Sequence, residues 1–156
     1  MQTAQYQQWL RDTREFWDVP SESQARFGRV CSSPQIEATE DPDALERLWR
    51  NETEQAVRWL VDDIPIQAGW QCLEIGCGVG RLMKEVAGRC DRVIGVDISQ
   101  RMLEYARRYL DNVPNVELHL NDGRSLAMVA DSSVDFVYSH LAFQHITLYE
   151  VVDAYL

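Results

Sequence analysis

Positive charge is scarce in this 156-residue chain: 15 lysines and arginines face 25 aspartates and glutamates, a formal net charge of -10. Nucleic acids are held through basic patches on their phosphates, and no basic stripe is present, so a nucleic-acid partner is disfavoured. Long apolar runs are also missing. No window approaches the ~18 uninterrupted apolar residues of a membrane span, and the polar opening Met1-Gln2-Thr3-Ala4-Gln5 has no apolar signal-peptide core. A cytoplasmic chain with no membrane partner is the expectation. Cysteine pairing is absent as well: Cys31, Cys72, Cys77 and Cys90 have no C-x-x-C spacing, which favours reduced thiols over a metal centre or a disulfide framework. There is no internal repeat and no low-complexity run.

What is present is a globular composition, 46% hydrophobic, and a pattern of strands that end in acids. Trp70 to Ile75, opened by Gly69, is short and apolar enough for a central parallel strand. Glu74 interrupts it near its carboxyl end. A buried carboxylate needs a partner, and in an open α/β sheet the ligand crevice beyond the strand ends supplies one. Gly76, Gly78 and Gly80 follow, giving a tight turn that a ligand can approach before a helix resumes at Leu82 to Val86. The dinucleotide fingerprint G-x-G-x-x-G fails, because Arg81 stands where its third glycine belongs and Glu74 would repel a pyrophosphate. An NAD-dependent oxidoreductase is therefore the weaker reading.

A second strand, Arg92 to Asp97, ends in an acid 21 positions after Gly76. That spacing sets the Asp97 carboxylate at a strand tip, where it can accept both hydroxyls of a ribose. Ser99 has the place of an N-cap, and Met102, Leu103, Ala106 and Leu110 form the apolar face of a helix that Pro114 ends. The third strand, Val116 to Leu120, runs into Asn121-Asp122-Gly123, so Asp122 is placed to accept from an adenine amino group. The fourth, Val134 to Tyr138, delivers Ser139 and His140 to the same edge. His140 and His145 could each be a general base or a substrate contact, though a histidine in such a segment is more often a satisfied structural group.

Together LEIGCGVGRL, VIGVDIS, LNDG and SVDFVYSHLAFQHI resemble, in order and spacing, the successive motifs of small class I S-adenosylmethionine-dependent methyltransferases, over about residues 66 to 150. The resemblance implies an α/β Rossmann-like parallel sheet in the strand order 3-2-1-4, with helices on both faces. It implies S-adenosylmethionine as cofactor and a small-molecule methyl acceptor, with no resident metal. Gly76, Cys77 and Gly78 would line the methionine end, Asp97 would hold the ribose, Ile98 would pack on the adenine and Asp122 would read its amino group. Glu74, Gly80, Met102, Gly123 and Ser139 complete the implied cofactor-binding set. His140 and His145 are the weak catalytic candidates.

The family sheet has seven strands, and four are found here. Residues 66–156 therefore read as part of such a domain, and a non-catalytic binding module is the rival function. The fourth strand, apolar on both faces, is expected to form an exposed edge through which the chain could self-associate. Thr147 and Glu150 read as a capping box opening a further helix along Leu148, Val151, Val152 and Tyr155. Residues 1–65 read as a helical extension. Tyr6, Trp9, Leu10, Thr13 and Trp17 share one face, widened by Phe16, before Pro20 and Ser21 break the pattern. Asp41-Pro42 then starts a helix to about Asp63, with Leu45, Leu48, Trp49, Ala56 and Leu60 as its stripe. The first helix could be a lid over the cofactor or could simply pack on the sheet; the pattern alone favours packing.

Overall fold

The computed structural model describes residues 4–30 and 34–155. Cys31 and the opening Met1-Gln2-Thr3 lie outside the described residues. The chain forms α1 (Ala4–Trp17), α2 (Glu22–Ala25), a π turn (Arg26–Val30), α3 (Pro34–Glu37), α4 (Pro42–Leu60), β1 (Gln71–Ile75), α5 (Arg81–Ala87), β2 (Arg92–Asp97), α6 (Gln100–Tyr109), β3 (Val116–Leu120), β4 (Phe136–Tyr138), a 3-10 turn (Phe143–His145) and α7 (Tyr149–Asp153).

The strands build one parallel sheet in the order β3-β2-β1-β4, with Glu74 opposite Gly95 on one side and Tyr138 on the other. Cys72, Val93 and Tyr138 meet Val57 of α4, Leu82, Met83 and Val86 of α5, and Leu103 and Ala106 of α6. Leu73, Ile75, Ile94 and Val96 point the other way, against Leu126, Met128, Val129 and Val134 of the β3–β4 connection and against Phe143 and Tyr155. Leu73, Leu82, Met83 and Leu103 are at most 2% exposed, and each such side chain contributes about 2 kcal/mol of burial. Gly95 sits in mid-strand because a Cβ there would strike the Met83 sulfur and come within 2.9 Å of the Cys77 sulfur.

The capping expectations hold for two helices. Ser99 Oγ accepts from the Met102 N–H at 3.0 Å, and the Asp41 carboxylate accepts from the Asp43 N–H at 3.2 Å, with Pro42 opening α4. α4 stops at Leu60, short of Asp63, and its buried stripe is Trp49, Thr53, Ala56 and Val57, with Leu45, Leu48 and Leu60 only half-buried. The capping box at Thr147 is not formed: Leu148 holds the N-cap position of α7 without a side-chain cap. β4 is shorter than expected because the Asp135 carboxylate takes the Gln71 N–H at 2.8 Å, in place of a strand partner. Among the described residues, no helix is long and apolar enough to cross a membrane.

Candidate functional site

A cavity of about 290 Å3 opens at the carboxyl ends of β1 and β2, the place where ligands bind in open α/β sheets. Its floor is the glycine turn. Gly76 and Cys77 donate their N–H groups to the Val96 carbonyl at 2.8 and 3.0 Å, which folds the turn back over β2. Gly78, at φ +53, faces open space: a Cβ there would meet only the Val30 side chain, at 3.5 Å. Backbone thus lines the wall without a side chain between it and a ligand.

Asp97 orders this turn from the end of β2. Its Oδ2 accepts from the Gly78 N–H at 2.8 Å and its Oδ1 from the Ser99 N–H at 2.9 Å. Burial raises its carboxyl above the ordinary range, against the pull of these backbone donors. Each oxygen keeps a further lone pair for a ligand hydroxyl.

Glu74, at the end of β1, is 3% exposed. Burial pushes its carboxyl up to about 8, against the lowering influence of Tyr138 and Arg81. Its Oε2, the Tyr138 hydroxyl, and Nε and Nη1 of the buried Arg81 make no well-formed hydrogen bond, although the Tyr138 hydroxyl is near enough to Glu74 to favour its ionised form. A buried carboxylate oxygen facing a cavity without a donor fits a cationic ligand such as an α-ammonium or a sulfonium. The third Arg81 nitrogen, Nη2, lies 3.4 Å from His140 Nδ1. His140 is shifted down by burial and by Arg81. Cys77 is buried with its thiol raised well above the usual range by burial, which leaves it unreactive.

The wall opposite the sheet comes from the first helix. Trp9, Thr13 and Trp17 of α1 line the cavity. Arg14 donates to the carbonyls of Ile98 and Asn121 at 3.1 and 3.2 Å, and the Asp18 carboxylate accepts from the Ser99 hydroxyl and the Arg101 N–H. α1 and the residue that follows it are therefore tied to the segments after β2 and β3. His145 meets the edge of Trp17, ring centroids 5.1 Å apart.

Of the sequence-derived set, Glu74, Gly76, Cys77, Gly78, Asp97, Ile98, Met102 and Gly123 line this cavity, as do His140 and His145. Gly80, Asp122 and Ser139 are not among its lining residues. Gly80 caps α5 at φ +80 against Leu110. The Asp122 carboxylate is turned onto its own loop, accepting from the Arg124 and Ser125 N–H groups at 2.9 and 2.8 Å, so it supports the turn that presents Gly123. The Ser139 hydroxyl donates to the Ile75 carbonyl at 2.8 Å. Trp9, Thr13 and Trp17, on the helix that the sequence offers as a lid or a packing face, also line the cavity, as do Arg81, Asn121 and Tyr155, which are outside the sequence-derived set. The aromatic stripe of α1 was the one available signal for the first three.

A methyltransferase-domain family matches residues 72–155, more than half of the chain. An uncharacterized 37.1 kDa protein in transposon TN4556 of Streptomyces fradiae is 34% identical over 142 residues, covering 85% of this chain and 39% of that protein. A malonyl-[acyl-carrier protein] O-methyltransferase of Pectobacterium atrosepticum is 38% identical over 90 residues, covering 52% of this chain and 30% of that enzyme. The fold is shared with a geranyl diphosphate C-methyltransferase from Streptomyces coelicolor, crystallised with S-adenosyl-L-homocysteine: the TM-score is 0.69 over 94% of this chain and 59% of that one, at 19% identity. The chain thus spans well under half the length of both sequence relatives. By family match and by sheet order, it belongs to the class I S-adenosylmethionine-dependent methyltransferases.

Proposed function

We propose that the chain holds S-adenosylmethionine between the ends of β1 and β2, and that its protein transfers the methyl group to a small-molecule acceptor. The observation that carries this reading is the pairing of a buried, donor-less Glu74 oxygen with the open backbone approach at Gly78. When bound, S-adenosylmethionine supplies an electrophilic methyl group on a sulfonium. Glu74 faces the cationic end of such a ligand. Gly76, Cys77 and Gly78 let the methionine portion lie against backbone, and the spare lone pairs of Asp97 accept the ribose hydroxyls. Ile98, Met102, Gly123 and Trp9 frame the adenine, while Gly80, Asp122 and Ser139 act at one remove by holding the turns.

In-line displacement at a methyl carbon needs positioning more than covalent help, and alignment alone can be worth effective molarities of ~10⁵ M. His140, which burial and Arg81 hold below its ordinary value, and His145 both line the cavity and are the two candidates to take a proton from a protonated nucleophile. The negative net charge supports a small molecule over a nucleic acid as acceptor. Residues 1–65 serve in this reading as the extension that closes the cofactor site, and residues 66–156 as the cofactor-binding part. β4 is one of the two sheet edges among the described residues, with Val137 49% exposed, and it is the proposed contact for self-association, which Val137→Lys should reduce in light scattering.

The function is tested by following S-adenosylhomocysteine release with a panel of small-molecule acceptors, for this chain and for a longer version that spans its relatives. Turnover by the longer version supports methyl transfer. Cofactor binding without turnover on any acceptor by either version would favour the non-catalytic binding module.

A further inference from the structure

Once a cofactor takes Glu74 and Asp97, the cavity has no acid left, because these are the only acidic residues among the described ones that line it. What remains is basic or neutral: Arg29, Arg81, His140 and His145. Arg81 is engaged electrostatically with Glu74, whose carboxyl burial raises and Arg81 pulls back, and with His140, which burial and Arg81 both lower. Arg29, on the π turn, has no such tie. Its Nε donates to the Phe16 carbonyl at 3.1 Å and its Nη1 to the Gly28 carbonyl at 3.2 Å, with the guanidinium carbon 4.1 Å from the centre of the Phe16 ring. Nη2 is left over, and among the described residues no carboxylate pairs with this arginine. A guanidinium held in place with a donor to spare is pre-organised for an anion. Apolar side chains share the cavity with it. Trp17 and Val30 line it, as does Leu141, which is 50% exposed and held at φ +63, a conformation that leucine rarely adopts. The next residue, Ala142, occupies the space that a Cβ on Gly76 would need, so the Leu141 loop is pressed onto the glycine turn. An apolar side chain kept exposed at a strained point of a cavity wall marks a surface for a ligand.

We propose that the methyl acceptor of this site is a small organic acid with an apolar body: its carboxylate pairs with Arg29, and its body lies on Trp17, Val30 and Leu141. The inference rests on the methyl-transfer reading above and names its substrate class. It disfavours a cationic amine, for which no carboxylate remains. Val30 is also the side chain that faces Gly78, so an acceptor seated there lies beside the turn that holds the cofactor. The same closeness would let Arg29 reach a carboxylate of the cofactor instead, and the experiment separates the two.

Ligand-observed NMR titrations of the chain saturated with S-adenosylhomocysteine compare benzoate, cinnamate and octanoate with their neutral amides and with amines of matching body. The wild type should bind at least one acid about tenfold more tightly than its amide, the worth of a charge-assisted contact at a half-buried arginine, and should bind no amine more tightly than the amide. Arg29→Gln should erase the difference between acid and amide while its calorimetric affinity for S-adenosylhomocysteine stays within about threefold of the wild type. Leu141→Gly should weaken acid and amide by the same factor, because it removes part of the apolar wall and no charge. Should the glutamine variant unfold, Arg29→Lys carries the test, since it keeps the charge without the planar fork and should show a reduced acid preference. No acid preference in the wild type, an unchanged one in a folded Arg29 variant, or an amine that binds more tightly than its acid overturns the assignment. A loss of S-adenosylhomocysteine affinity in Arg29→Gln overturns it too, by giving Arg29 to the cofactor. If the wild type binds no S-adenosylhomocysteine at all, the cofactor reading fails first and this inference falls with it.

Discussion

At the end of β2, Asp97 is engaged on both oxygens by backbone donors from Gly78 and Ser99, and its neighbours are tied in turn by Arg14 of α1 and by Asp18 just after it. At the end of β1, a few residues away across the same turn, Glu74, Tyr138 and Arg81 are buried with polar atoms that make no well-formed hydrogen bond. Both carboxyls are raised by burial, yet only one region is complete without a ligand. The difference separates two tasks: the β2 end shapes the turn in advance, while the β1 end waits for charges that a ligand brings. Unsatisfied buried groups are rare in native folds, and where they cluster in a cavity they point to what fills it.

The comparison breaks most severely if the turn itself is closed. Gly78→Val puts a branched side chain at φ +53 and into the ligand's approach, so calorimetry should detect no S-adenosylhomocysteine binding. Asp97→Ala comes next. It removes the acceptors for two ribose hydroxyls and frees the Gly78 N–H, and affinity should fall on the order of 100-fold.

Glu74→Gln sharpens the contrast through pH. With its folded carboxyl near 8, Glu74 is protonated in the empty site at neutral pH, and a cationic ligand favours the ionised form. Wild-type affinity for S-adenosylhomocysteine should therefore rise with pH toward about 8, by at most about tenfold per pH unit, with proton release on binding. The glutamine variant should bind about tenfold more weakly near pH 8 and lose this slope. Stability runs the opposite way. The folded value lies above the ordinary carboxyl value, so the unfolded chain binds fewer protons between about pH 4.5 and 8, and the empty wild type loses stability across that window as pH rises. Glu74→Gln removes that loss, and urea melts of the two proteins should diverge with pH accordingly.

Arg14→Ala should give the smallest effect. It cuts two hydrogen bonds from α1 to the Ile98 and Asn121 carbonyls without touching the turn. Affinity should drop about threefold to tenfold, with a comparable loss of unfolding stability. A loss as large as that of Asp97→Ala would mean that the first helix, and not the turn, holds the ligand.

The same two regions mark how far the sequence could be read. β1, β2 and β3 follow from apolar runs bounded by glycine and acid, and Asp97 follows from its distance to the glycine turn, because local backbone geometry fixes both. Asp122 shows where local pattern runs out: a carboxylate that could reach a base can also bind its own backbone in a turn, and its Oδ1 does so here. Arg81 stands out in the sequence only as a mismatch to another motif; its burial in the cavity wall, where it pulls on Glu74, is set by the packing of α5 and no local pattern encodes it. The Tyr6, Trp9, Leu10 stripe announced a buried helix face, but packing and ligand contact use the same residues, and only the fold shows Trp9 lining the cavity as well as packing against Tyr6. β4 lost two residues to an Asp135 side chain that substitutes for a strand partner, a substitution invisible in an apolar pattern.

The central claim is that the cavity between Glu74 and Asp97 takes S-adenosylmethionine and its demethylated product. It is met most directly by calorimetric titration of the chain with S-adenosylhomocysteine and, in parallel, with NAD. The account predicts saturable one-to-one binding of S-adenosylhomocysteine that Asp97→Ala weakens, and no heat from NAD, whose pyrophosphate loop needs a third glycine where Arg81 stands. Binding of NAD with none of S-adenosylhomocysteine, or S-adenosylhomocysteine affinity untouched by Asp97→Ala, would contradict it.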